Sequence, residues 1–134
     1  MADHPNIEVI RSAYAAMGRG DLSVLNDVWS PDLVWHVPKG LPISGVYSGR
    51  DEIFGVYGQL AAFTQGSLRV ELEDVLANDE HGVAMVRSQA TRNGTTYHAT
   101  ELNLLYFEDG KVTSFWSLAR EPYPDEFWAG FPAP

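Results

Sequence analysis

The chain contains no cysteine, so neither disulfides nor thiolate chemistry can contribute to its fold or reactivity. It has no apolar run near the ~20 residues that span a bilayer. Its opening, MADHPNIEVIRSAY, lacks the basic and apolar regions of a secretory signal. A cytoplasmic location is the expectation. Basic residues are scarce, with 9 Lys and Arg against 18 Asp and Glu and a net charge of −9. The acids are spread along the chain and repel phosphate, so nucleic acid and anionic membranes are poor partners. That acidity reads first as a solubility feature. The four histidines, His4, His36, His81 and His98, form neither HxH nor HExxH spacing. A phosphate-cradling glycine loop and a nucleophile elbow are also missing. No metal and no cofactor are expected.

What is present is one ordinary globular domain. At 134 residues the chain suffices for a single core and is too short for two. Ile7, Ile10, Tyr14 and Met17, with Ala13 and Ala16, recur at helical spacing, and Gly18 and Gly20 stop that helix. Asp21 is a good N-cap for a second, short helix with Leu22, Leu25, Val28 and Trp29 on one face, ended by Pro31. Leu33 to Val37 is β-prone, and a turn-rich loop over 38–49 leaves room for a short strand at Val46–Tyr47. Ser48 to Asp51 reads as a capping box for a third helix, which buries Ile53, Phe54, Tyr57, Leu60 and Ala61.

Beyond Gly66 the period changes to two. Leu68, Val70 and Leu72 alternate with charged residues, and Asn93–Gly94 and Asp109–Gly110 signal tight hairpins. Helices followed by a strand meander give an α+β domain. The aromatic and proline-rich tail, 120–134, is a docked short helix or a frayed end.

Three local motifs occur in a fixed order: Tyr14-Ala-Ala-Met-Gly-Arg-Gly-Asp-Leu22, Trp35-His36 followed by Ser44-Gly45, and Asp109-Gly110-Lys111-Val112 with Trp116 downstream. In this order, from about Ile7 to about Ala119, the chain resembles the ketosteroid isomerase-like and polyketide cyclase-like (SnoaL-like) domains of the nuclear transport factor 2-like superfamily. The resemblance implies a cone-shaped, curved antiparallel sheet wrapped around the N-terminal helices, with one internal pocket.

By the same resemblance, His36 occupies the position of the ketosteroid isomerase general base, and a neutral imidazole is a competent base at physiological pH. A structural histidine at a strand end is the alternative. Asn103 falls where that family places the neutral acid of its oxyanion hole, an arrangement for which ketosteroid isomerase is the standard worked example. An amide there donates a weaker hydrogen bond, or satisfies a strand bulge. Glu101 shares the strand face of Asn103. If that face is the pocket, Glu101 is a carboxylate in apolar surroundings suited to acid–base work; the opposite parity puts His98 and Thr100 inside. Tyr14, Trp29, Phe54, Tyr57 and Phe115, with Ser117, are the expected cavity lining.

Two departures from the family matter. Ser117 and Arg120 stand where many SnoaL-like proteins carry aspartates, and the family's catalytic tyrosine aligns with Ala13, one position before Tyr14. Arg87 falls on the outward parity, so no arginine-bridged pair of carboxylates is expected. The leading expectation is proton transfer (isomerisation, cyclisation or a lyase step) on an apolar carbonyl or ring compound. A non-catalytic ligand-binding domain and a protein-interaction adaptor are the alternatives. Leu102, Leu104 and Tyr106, joined by Val112, Trp116 and Leu118, would form an outer sheet face too apolar for a typical monomer. That predicts a homodimer through the sheets, unless Tyr123, Phe127 and Trp128 of the tail cover the face.

Overall fold

A computed structural model describes residues 4–38, 43–119 and 125–131. Arg120 and Tyr123 of the tail and positions 39–42 of the loop lie outside the described residues. Helix α1 (Pro5–Arg19) and helix α2 (Leu22–Val28) are followed by strands β1 (Trp29–Val37) and β2 (Gly45–Ser48). Helix α3 (Arg50–Phe63) leads into the meander β3 (Arg69–Ala77), β4 (His81–Arg92), β5 (Thr95–Glu108) and β6 (Lys111–Ala119), and helix α4 (Asp125–Trp128) closes the tail. The six strands form one curved, unclosed sheet in the order β2-β1-β6-β5-β4-β3. The β1–β6 pair is parallel and the other neighbours are antiparallel. No helix among the described residues is long and apolar enough to cross a membrane.

Local chemistry explains most boundaries. Pro5 stands in the first turn of α1, and His4 caps it, its Nδ1 accepting from the Asn6 N–H at 3.1 Å. The helix runs through Gly18 and ends at Gly20, whose φ of 69° reaches the left-handed region that glycine tolerates. Asp21 caps α2 by accepting from the Ser23 N–H at 3.1 Å. Both hairpins turn on two residues with positive φ, Asn93–Gly94 and Asp109–Gly110, the backbone that suits the right-handed strand twist.

Three expectations are corrected. Trp29 begins β1 rather than ending the helix, and the strand passes through Pro31. The β1–β6 register shifts between Trp29 and Val34, so the proline falls in an irregular stretch where its missing N–H interrupts no regular ladder. Ser48 does not cap α3: it pairs with Val34 in β2, and Gly49 holds the cap position without a side-chain bond. Val112 is fully buried rather than on the outer face, because the β5–β6 register shifts between Tyr106 and Phe107 and turns Val112 inward beside Phe107.

The core lies between the helices and the concave face of the sheet. Ile10, Ala13 and Ala16 of α1 and Ile53, Val56 and Leu60 of α3 meet Ala84, Val86, Leu105 and Phe115. Asn6 is also buried and donates from Nδ2 to the Asn78 carbonyl at 3.0 Å, tying the start of α1 to the β3–β4 turn. This scaffold leaves a space near the middle of the sheet unfilled.

Candidate active site

That space is a cavity of about 820 Å³, within the range of small-molecule sites. Met17 of α1 and Leu25 of α2, Phe54 and Leu60 of α3, and Val86 and Phe115 of the sheet give it an apolar wall. Inward parity on β5 brings Glu101 and Asn103 to the same wall, and on β6 it brings Ser117 opposite Asn103.

Four side chains form a directed hydrogen-bond chain. The Trp35 indole N–H donates to Ser117 Oγ at 2.8 Å, and the Ser117 hydroxyl donates to Asn103 Oδ1 at 2.7 Å. The Asn103 amide nitrogen then donates to the Tyr14 hydroxyl oxygen. Indole can only donate, so Ser117 must pass its own proton onward. Reversing the amide would leave that buried hydroxyl proton without an acceptor among the described residues, a costly arrangement. With its oxygen already accepting, Tyr14 has its phenolic proton free for a ligand. Burial pushes the Tyr14 hydroxyl well above the ordinary tyrosine value, and the Glu101 charge adds to that shift. Tyr14 therefore stays a neutral donor.

Glu101 is half-buried and accepts from the Ser88 hydroxyl at 2.8 Å. Ser88 is itself buried on β4. One carboxylate oxygen is thus held and the other is left for chemistry. Tyr57 also lines the cavity. Burial raises its pKa strongly, with Tyr14 and Glu101 contributing. The rings of Trp35, Tyr57 and Phe115 pack together, Trp35 lying 5.2 Å from Tyr57 and 5.3 Å from Phe115 between centroids.

The structure brings Tyr14, Phe54, Tyr57, Glu101, Asn103, Phe115 and Ser117 to the cavity and leaves two expected residues out. His36 is on the opposite face of β1 from Trp35, because neighbouring residues on a strand alternate. Its ring stacks on Trp116 at 3.9 Å and 8° on the outer face of the sheet, so it is not a base for this cavity. Trp29 is buried behind the lining, stacked on Phe54 at 5.7 Å and on Phe115 at 6.1 Å. Trp35 and Ser88 are the residues that sequence reasoning missed. The alternation of Leu33, Trp35 and Val37 carried the signal for Trp35; a serine on a strand carries none. Among the described residues no group of three or more His, Cys, Asp or Glu side chains could hold a metal ion.

The SnoaL-like domain model matches residues 10–115 of the chain. The chain belongs to the SnoaL-like domain family. An uncharacterized protein of Mycobacterium tuberculosis is 34% identical over 131 residues, covering 96% of this chain and all of that one. Among solved structures, Bal32a from a soil-derived mobile gene cassette superposes with a TM-score of 0.85 at 29% identity, over 92% of this chain and 96% of Bal32a. IdmH of Streptomyces antibioticus, provisionally described as a polyketide cyclase, shares the fold with a TM-score of 0.74. It is 21% identical over 87% of this SnoaL-like chain and 93% of its own.

Proposed function

We propose that this SnoaL-like domain binds an apolar, carbonyl-bearing ring compound and moves a proton on it. The observation that carries the reading is the convergence of one carboxylate, Glu101, and one directed phenol donor, Tyr14, in a cavity whose wall is mostly apolar. In this scheme Glu101 takes a proton from the carbon next to the carbonyl. The C–H bond breaks, an O–H bond forms on the carboxyl, and the electron pair moves onto the carbonyl oxygen. The Tyr14 O–H, backed by Asn103, donates to that developing charge, the type of interaction worth about 10²–10³ in rate. Return of the proton to a second carbon completes an isomerisation; attack of the enolate carbon on another carbonyl completes a cyclisation.

The geometry suits this division of labour. Glu101 and Asn103 are two residues apart on one strand face, on the order of 7 Å, and Asn103 holds the Tyr14 hydroxyl, so a carbonyl held by Tyr14 can present its neighbouring carbon to Glu101. The aromatic rings offer faces to a flat ligand. A second reading, binding without turnover, is favoured by Ser117, which is neutral where many SnoaL-like proteins carry an aspartate.

One experiment separates the two. The α-protons of 2-tetralone are followed by NMR in D₂O with the wild-type protein and with Glu101→Gln. Catalysed exchange that drops at least a hundredfold in Glu101→Gln, while 2-tetralone still binds, supports proton transfer. Binding with exchange no faster than in buffer supports the ligand-binding reading.

A further inference from the structure

Helix α4 lies beyond the matched family region, yet its Trp128 lines the cavity. Phe127 and Trp128 are buried, and Trp128 belongs to the cavity wall. The Trp128 ring lies parallel to Phe63, the last residue of α3, at 5.7 Å and 7°, and edge-on to Tyr97 of β5 at 5.2 Å and 83°. Phe131 packs edge-on against both Phe63 and Trp128. Arg92, at the end of β4, fastens the group. Its guanidinium lies 4.0 Å from the Phe63 ring centroid, and Nη1 donates to the Phe127 carbonyl at 3.3 Å. One cation therefore ties the tail's backbone to α3 and to β4.

This group is at the far end of the cavity from the Tyr14–Asn103 pair. Tyr97, against which Trp128 packs, is six residues before Asn103 on the same strand face, ~20 Å away in an extended strand. A ligand whose oxygen is held by Tyr14 and whose rings run past Glu101 meets the Trp128 indole next. We propose that Trp128 sets the length of ring system this cavity accepts, with Arg92 as the positioning residue that holds it there. This rests on the reading of the cavity as a ring-ligand site.

The test uses the full chain and phenols of increasing length: 2-naphthol, 2-hydroxyanthracene and 2-hydroxychrysene. Their affinities are read from ¹⁵N-resolved NMR titrations of the wild type, Trp128→Ala, Trp128→Phe and Arg92→Ala. In Trp128→Ala the four-ring phenol should gain about tenfold in affinity relative to 2-naphthol. Trp128→Phe should fall between, and Arg92→Ala should move the ratio in the same direction. If Trp128→Ala does not fold, the ratio in the other two variants decides. Equal weakening of all three phenols, or an unchanged ratio, overturns the proposal while leaving the ligand site intact. Failure of every phenol to perturb the cavity residues of the wild type overturns both.

Discussion

The Asn103 amide has an acceptor end and a donor end, and the Trp35–Ser117 pair determines which end Tyr14 meets. Ser117→Ala removes that constraint, so the amide can turn and accept the Tyr14 proton. The expected outcome is a fall of about tenfold or more in 2-tetralone exchange, with a stability loss of about 1–3 kcal/mol from the orphaned Trp35 N–H, against about a hundredfold in exchange for Tyr14→Phe; exchange rates and urea midpoints check both. Tyr57 gives a pH prediction. Its folded pKa is raised by burial while the unfolded chain ionises near the ordinary 10.0. Stability is therefore fully present below about pH 10 and is lost as pH rises above it, because the unfolded state releases a proton that the folded state keeps. Tyr57→Phe should flatten that alkaline loss, seen by comparing urea unfolding at pH 8 and pH 11. Glu101 and Asn103 were legible in the sequence because apolar alternation along β5 offered two parities and favoured theirs. His36 was misread because motif position outweighed parity: its neighbours Trp35 and Val37 had to face the core, which left the imidazole outside.

At the scale of elements, the turns and helices were legible where one residue type carries the geometry, as at Gly20 and the two hairpins. What did not show in the sequence were register shifts, because a bulge changes the face of a residue without changing its identity. Val112 and the passage of β1 through Pro31 are both of this kind. Close approach of elements is similarly hidden. A Cβ built on Gly82 would stand 2.7 Å from Ile10 Cδ1 and 2.9 Å from Phe107 Cε2, where α1 crosses β4. Ile10 is fully buried and has little room to retreat. Gly82→Ala is expected to destabilise the domain by about 1–3 kcal/mol through overpacking, measured by urea unfolding. A wild-type midpoint in that variant would show that α1 can shift.

For the whole molecule, the outer sheet face is the feature the cavity does not explain. Leu102, Tyr106, Trp116 and Leu118 are each at least one-third exposed, with Leu102 and Leu118 paired across β5 and β6. Of the tail residues described, Phe127 and Trp128 pack on Tyr97 and Phe63 rather than on this face. We propose a homodimer through these faces, since such a patch is large for a monomer. Light scattering should give twice 14.8 kDa, and Leu102→Lys with Leu118→Lys should give the monomer mass while keeping the urea midpoint near wild type. A monomeric wild type at micromolar concentration contradicts this. The central claim, that Tyr14 holds the carbonyl oxygen while Glu101 meets the carbon beside it, is tested most directly by a crystal structure with 2-tetralone bound. A ketone oxygen can only accept, so it should lie about 2.7–3.0 Å from the Tyr14 hydroxyl, with the adjacent CH₂ turned toward Glu101. A ketone bound with its oxygen away from Tyr14, or held on the outer face beside His36 and Trp116, would contradict the account.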